Sequence, residues 1–327
     1  MKLKTNPRFA CGIWYFGACG DRFKKDGYRE DIPLEKRLEL IASIEGLEGV
    51  EFHYPSELNE GNLERILAIM KDLNLKVANV GPYLHGYTDF RFGSLTNPNP
   101  QIRRKAIDLV KGAADIAEKA GCNMTIMWLG PDGFDYPFQT NYAEVWDWLI
   151  DSLKEITSSK PNHTFCLEYK PYEPRCKSFV DSIGTSLSII EAVGAKNLGI
   201  NIDLGHALMG GENLAASASL ALKRGRLFHL HLNDAWKRFD DDLVFGSVHF
   251  IEQLELLFWL DYLGFNGWYS FDLFPYREDP KKATEESLKN LHKMREIILA
   301  KLDEKALLSA IGESDATKLT ALIREAL

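Results

Sequence analysis

The 327-residue sequence predicts a single α/β domain, a (β/α)8 barrel of the TIM type closed by a short helical tail. Three observations predict it: eight short apolar runs in series, amphipathic segments between them, and no glycine-rich G-x-G-x-x-G turn after the first run. That turn would instead mark an open, doubly wound dinucleotide-binding sheet.

The runs are FACGIWYF (9–16), GVEFHY (49–54), KVANVGPY (76–83), CNMTIMWL (122–129), HTFCLEYK (163–170), LGINIDLG (198–205), LFHLHLND (227–234) and GWYSFDLF (267–274). Each is short and rich in β-branched or aromatic residues, as a strand buried on both faces should be. Between them, segments such as NLERILAIMKDLNL and QIRRKAIDLVKGAADIAEKAG repeat apolar residues at three- and four-residue spacing, with Gly121 placed as a helix stop. The barrel is expected over residues 1–300. Residues 301–327 read as short helices broken at Gly312 that cover the barrel or a neighbouring subunit.

Composition sets further bounds. Hydrophobic residues are 45% and charged residues 26% of the chain, the balance of an ordinary globular protein with a sizeable core. The formal net charge of -8 argues against broad affinity for nucleic acid. No apolar run reaches the roughly 18–20 residues that cross a bilayer. Met1-Lys2-Leu3-Lys4 lacks the apolar stretch of a signal peptide. The five cysteines (Cys11, Cys19, Cys122, Cys166, Cys176) form no C-x-x-C pair and read as free thiols in a reducing cytoplasm.

In a parallel barrel the C-terminal strand ends and the loops after them build the active site. The last four strands end in hard ligands: Glu168 and Lys170 on the fifth, Asp203 and His206 on the sixth, His229 and His231 on the seventh, Asp272 on the eighth. Taken singly, a carboxylate at a barrel mouth is commonly a salt-bridge partner or a helix cap, and Asp240-Asp241-Asp242 alone reads as a solvated loop. His229, one pleat deeper than His231, reads as a hydrogen-bonded core histidine. Recurrence at equivalent depth on four consecutive strands changes the reading, because several carboxylates are buried together only when a cation neutralises them. Glu168, Asp203, His231 and Asp272 are therefore expected around one divalent ion, with Asp240 and Asp242 reaching a second beside His206. Oxygen-rich donors with few imidazoles favour Mg²⁺, Mn²⁺ or Co²⁺.

From Trp14 to at least Pro275 the chain resembles the xylose isomerase family. The resemblance is carried by Glu168-x-Lys170-Pro171-x-Glu173-Pro174-Arg175, Asp203-x-x-His206, Phe228-His229-Leu230-His231-Leu232-Asn233, Asp240-x-Asp242-Leu243-x-Phe245-Gly246 and Phe271-Asp272. It implies two metal ions per subunit. Glu168, Asp203, His231 and Asp272 would hold the one that binds sugar hydroxyls. His206, Asp240 and Asp242 would hold the catalytic one, with Asp203 bridging. It further implies Lys170 at the sugar carbonyl oxygen, Trp14 and Trp128 as indole walls, and His53 in ring opening. An aromatic residue in the loop of Phe23 would reach a neighbour's site, implying a homodimer or homotetramer.

Three positions depart from the family pattern. Asp203 stands where glutamate is usual and His231 where aspartate is usual; both changes resemble rhamnose isomerase. Ser56 replaces the aspartate expected three residues beyond His53, which leaves that imidazole without its carboxylate, since the adjacent Glu57 is expected to point elsewhere. The expected function is interconversion of a free aldose and its ketose, of the D-xylose type, by an intramolecular hydride shift. A ketose 3-epimerase of the same superfamily is the alternative; it would leave Asp240 and Asp242 spare and would want glutamate at Asp272. An endonuclease IV-like phosphodiesterase would need more histidines and a basic face.

Overall fold

Each of the eight apolar runs contributes a strand in the computed structural model, which describes residues 7–327. The Met1–Lys4 stretch read above lies outside them. The strands are β1 (Arg8–Gly12), β2 (Gly49–Tyr54), β3 (Lys76–Pro82), β4 (Met124–Trp128), β5 (Thr164–Glu168), β6 (Leu198–Asp203), β7 (Leu227–Leu232) and β8 (Trp268–Phe271). They form one parallel sheet in the order β3-β2-β1-β8-β7-β6-β5-β4.

The first strand is shorter than the run predicts. It stops at Gly12, and Trp14–Phe16 form a 3₁₀ turn at the mouth. The cause is local: a Cβ on residue 12 would lie 2.3 Å from the Trp14 ring, so only glycine lets the indole fold back over the strand end.

Helices α1 (Leu34–Ala42), α2 (Leu63–Asp72), α3 (Pro100–Lys119), α4 (Tyr142–Ser159), α5 (Ile183–Val193), α6 (Leu204–Met209), α7 (Leu214–Lys223), α8 (Phe250–Leu263) and α9 (Pro280–Glu296) connect the strands or follow the last. In α3 the Asn99 side chain caps Gln101 N–H and Pro100 opens the first turn. The buried stripe Ala106, Ile107, Val110, Ala113, Ala114 and Ala117 faces the sheet. Gly121, at φ +74°, ends it as expected. Beyond α9 a π-helical turn (Ile297–Lys301) leads to α10 (Glu304–Gly312) and α11 (Ala316–Ala326). Leu302, Leu307 and Ala326 join the barrel's own hydrophobic core, so the tail packs on the chain it belongs to.

The barrel has one seam. β3 and β4 share no backbone ladder; Asn79 bridges them instead, its Oδ1 accepting Ile126 N–H at 2.8 Å. Its amide nitrogen donates to Glu51 Oε2 at 3.0 Å. A bulge between Val50 and Glu51 in the β2–β3 ladder sets Glu51 opposite Asn79. A cleft of about 610 Å³ opens at the N-terminal end, lined by Arg8, Lys71, Cys122 and Trp268 among others, and holds none of the acid cluster.

Asn79 is 3% exposed and braces two strands with two hydrogen bonds. Asn79→Ala strands the Ile126 N–H, and the mutant should lose about 2–3 kcal/mol of stability in urea unfolding. A loss under about 0.5 kcal/mol would show that the seam closes without this side chain.

Candidate metal centre

The strand termini converge on a cavity of about 230 Å³ at the C-terminal mouth. Trp14, His53, His85, Trp128, Glu168, His206, His231, Asp240, Asp242, Asp272 and Phe274 all border it. Every sequence-predicted site residue therefore stands here or beside it. Asp203 lies beneath, shared between two groups of ligand atoms, and Lys170 reaches the rim through Asp240.

Strand geometry explains the convergence. Asp203 is the last residue of β6 and the cap of α6, accepting His206 N–H at 3.0 Å, so the strand-to-helix turn itself sets the spacing of the two side chains. Asp203 pairs in register with His231 on β7. Asn201 donates to Glu168 Oε2 at 2.8 Å, and Asn233 donates to both Asp203 oxygens at 3.2 and 3.0 Å.

Two groups of ligand-type atoms result. Glu168, Asp203, His231 and Asp272 form one, each group's atoms lying within 4.8 Å of one another; Asp203, His206 and Asp240 form the other. Asp242 stands outside both. Its Oδ1 takes an N–H from Asn233 at 2.8 Å, and its backbone adopts φ +46°. A third group, deeper in the barrel, joins Glu51 to His229 and His231.

The electrostatics show what the site needs. Burial raises Asp203, and Asp240, Glu168 and Asp272 add to it against His206, for a pKa of about 7. Asp242 is likewise raised well above the carboxylate range by burial and then by Asp240, Asp272 and Asp203. Burial would lower His206, but Asp203 and Asp240 outweigh it and lift the imidazole to about 9. Five carboxyl groups thus face two imidazoles and one ammonium, a surplus of negative charge that an added cation would relieve. The buried Nδ1 atoms of His206 and His231 and Oδ1 of Asp240 make no hydrogen bond. His231 Nδ1 lies 3.2 Å from both Glu168 Oε2 and Asp272 Oδ2. Unpartnered donor atoms among carboxylates fit a divalent ion, and this cluster is capable of holding one.

The surrounding residues follow the same order. Lys170 is 5% exposed, and its ammonium lies 2.8 Å from Asp240 Oδ2 and 3.2 Å from Glu173 Oε2. Burial would lower its pKa, but those carboxylates prevail and raise it, so it stays charged. It sits 5.2 Å from the Trp128 ring centre, and Gly130 leaves room for that indole. Trp14 Nε1 donates to Asp272 Oδ1 at 2.8 Å, so this wall also orients a carboxylate of the cluster. Phe23, in the loop after β1, is 78% exposed.

One expectation is corrected. Glu57 does not point away: the turn after β2 folds back, and its carboxylate accepts His53 N–H at 2.7 Å and lies 3.5 Å from His53 Nδ1. The strand ends at Tyr54, as its apolar run does, and the direction of Glu57 is set by the turn that follows, which the run does not describe. Glu51, His85, Asn201 and Asn233 were also missed. Strand alternation held a signal for one, since Glu51 shares a face with His53. His229 is the core histidine expected, its Nε2 2.8 Å from Glu51 Oε1.

Burial would lower the His53 pKa, but the Glu57 hydrogen bond and charge outweigh it and raise it. A raised folded value means that the pair stabilises fully below the unfolded pKa of about 6.5 and loses that contribution as pH rises through the folded value. Glu57→Gln should move the His53 titration to lower pH, as followed by NMR of the ring protons. An unchanged midpoint would remove Glu57 as its partner.

Known proteins place this geometry. Residues 38–294 match the model of the xylose isomerase-like TIM barrel family. The xylose isomerase of Thermus thermophilus is 27% identical over 294 residues, 86% of this chain and 76% of its own. Among solved structures, a D-tagatose 3-epimerase-like protein superposes with TM-score 0.67 at 18% identity, over 89% of this chain and 98% of that one. A D-allulose 3-epimerase from Methylomonas sp. superposes with TM-score 0.68 at 12% identity, over 90% of this chain and 99% of the other. At those identities the structures speak for the fold, while the family match spans most of the chain: this protein belongs to the xylose isomerase-like TIM barrel family.

Proposed function

We propose that the protein is a metal-dependent isomerase of free monosaccharides that interconverts an aldose and its ketose. The observation that carries this is the second ligand group. Asp203, His206 and Asp240 adjoin the four-residue group through the shared Asp203, and Lys170 stands against Asp240. One ion needs only the first group; the second, with an ammonium beside it, suits two divalent ions and a polarised carbonyl. The likeness to xylose isomerases over 86% of the chain supports the reading. Mg²⁺, Mn²⁺ and Co²⁺ suit the donors.

Ions held there would supply Lewis-acid polarisation of the sugar oxygens. The chain's own residues do the rest. Lys170 holds a proton and a positive charge where the carbonyl oxygen gains negative charge. Trp14 and Trp128 wall the cavity and exclude water. His53, supported by Glu57, moves a proton at the ring oxygen or anomeric hydroxyl during ring opening. No arginine borders the cavity among the described residues, and Lys170 is held by two carboxylates, so a neutral sugar fits better than a phosphorylated one.

Ketose 3-epimerisation is the competing reading, prompted by the epimerases among the structures of like fold. It needs a carboxylate outside the ion's ligand set to take the carbon-bound proton, and Asp242 is the candidate, standing outside both ligand groups. The free cysteines suit a cytoplasmic setting, and among the described residues no helix is long and apolar enough to cross a membrane.

The two readings part on the fate of one hydrogen. D-xylose deuterated at C2, and other free aldoses treated alike, should yield ketose that keeps the label at C1, as read by NMR in ordinary water. Wash-out of most of the label, or exchange at C3 of a ketose with no aldose formed, would replace the isomerase reading with the epimerase one. Lys170→Met should cut kcat by about a hundredfold or more while metal binding persists; a change under about threefold would remove Lys170 from the chemistry. Exposed Phe23 at the mouth fits a homodimer or homotetramer, which a light-scattering mass of a single chain would contradict.

A further inference from the structure

Glu51 is fully buried and carries no part of the reaction described above. Its two oxygens receive three groups: His229 Nε2 at 2.8 Å on Oε1, and His231 Nε2 at 3.2 Å and Asn79 Nδ2 at 3.0 Å on Oε2. An ionised carboxylate has no proton to give, so both imidazoles donate from Nε2. For His231 the consequence is specific. With its proton on Nε2, the ring presents the Nδ1 lone pair to Glu168, Asp203 and Asp272, at 3.2, 3.9 and 3.2 Å. That nitrogen makes no hydrogen bond.

We infer that Glu51 is a positioning residue that fixes His231 in the Nε2-protonated tautomer, so that Nδ1 faces a divalent ion. The inference rests on the reading that Glu168, Asp203, His231 and Asp272 hold such an ion. A ligating imidazole is commonly oriented by an acceptor on its far nitrogen, and loss of that acceptor lowers metal affinity about 10–100-fold. Asn79 extends the device: the side chain that closes the β3–β4 seam also anchors the carboxylate, so barrel closure and ligand orientation share one residue. The arrangement also explains how an imidazole is tolerated at residue 231. An aspartate there would need no far-side acceptor and would be repelled by Glu51.

Glu51→Gln is a close isostere and a sharp test. Glutamine offers one acceptor oxygen and an NH₂ to three donors, so at least one histidine must change tautomer or lose its partner. Mn²⁺ binding to the full chain is measured by calorimetry for the wild type, Glu51→Gln, His231→Asp and the double variant. Long-range ¹H–¹⁵N spectra of the protein loaded with diamagnetic Mg²⁺ report the His231 tautomer, since without an ion the carboxylates around the ring favour its charged form. The wild type should show His231 protonated at Nε2, and Glu51→Gln should lose that preference and bind Mn²⁺ at least about tenfold more weakly. In the His231→Asp background the same change should not weaken binding by more than about twofold.

If Glu51→Gln does not fold, Glu51→Asp carries the test, with the tautomer kept and affinity lowered at least about threefold. Unchanged affinity and tautomer would overturn the inference, as would an equal loss in both backgrounds, which marks a merely structural role. Loss of one whole ion with the remainder bound at wild-type affinity would make Glu51 itself a ligand. A wild type that takes up no Mn²⁺ would instead sink the metal reading on which the inference stands.

Discussion

The chain buries more carboxyl groups at one barrel mouth than its own cations balance. Glu168, Asp203, Asp240, Asp242 and Asp272 crowd around two imidazoles and Lys170, with Asp203 common to both ligand groups. Desolvation and mutual repulsion push Asp203 and Asp242 toward their neutral forms, against the ordinary behaviour of aspartate. A fold tolerates such a concentration of charge only where a ligand repays it. Much of the surrounding architecture serves this constraint. Asn201 and Asn233 hold the acids by their side-chain amides, and Trp14 fixes Asp272. The Asp203 cap ties this carboxylate to the helix that carries His206.

The barrel supplies the precision. Strand ends set side-chain direction through register, and the one join without a backbone ladder is closed by Asn79, whose other hydrogen bond runs into the site's supporting shell. Bulges at Glu51 and Asn201 lie one layer beneath the acid cluster. Local departures from regular pairing of this kind re-aim side chains, and they cluster where function needs them. Asp242, at positive φ in the loop after β7, is a further instance.

Most of this was legible in the residues. Strand positions followed from apolar runs, and the cluster at the mouth from acids and histidines recurring at equivalent depth on four strands. His231 at the mouth and His229 in the core followed from their depth on one face of one strand, a pleat apart. What escaped was non-local or turned a corner. Glu57 was misread because its direction is set by the turn beyond Tyr54, which folds its carboxylate back onto His53 N–H. Glu51 was passed over inside an apolar strand, since its histidine partners lie about 180 residues away in sequence. The Trp14 turn was absorbed into the first strand because the close approach that makes Gly12 necessary is a property of the folded loop. Fold likeness alone does not choose between isomerase and epimerase chemistry, because relatives of one fold can vary the loops and strand ends that carry the chemistry.

The central claim is that Asp203 is shared by two neighbouring divalent ions. Electron paramagnetic resonance of the protein loaded with Mn²⁺ tests it directly, because two ions bridged by one carboxylate couple their spins. The account predicts two Mn²⁺ per chain with a coupled spectrum at full loading, and Asp203→Asn weakening both sites together. A single ion per chain, or an uncoupled six-line signal at every loading, would contradict it.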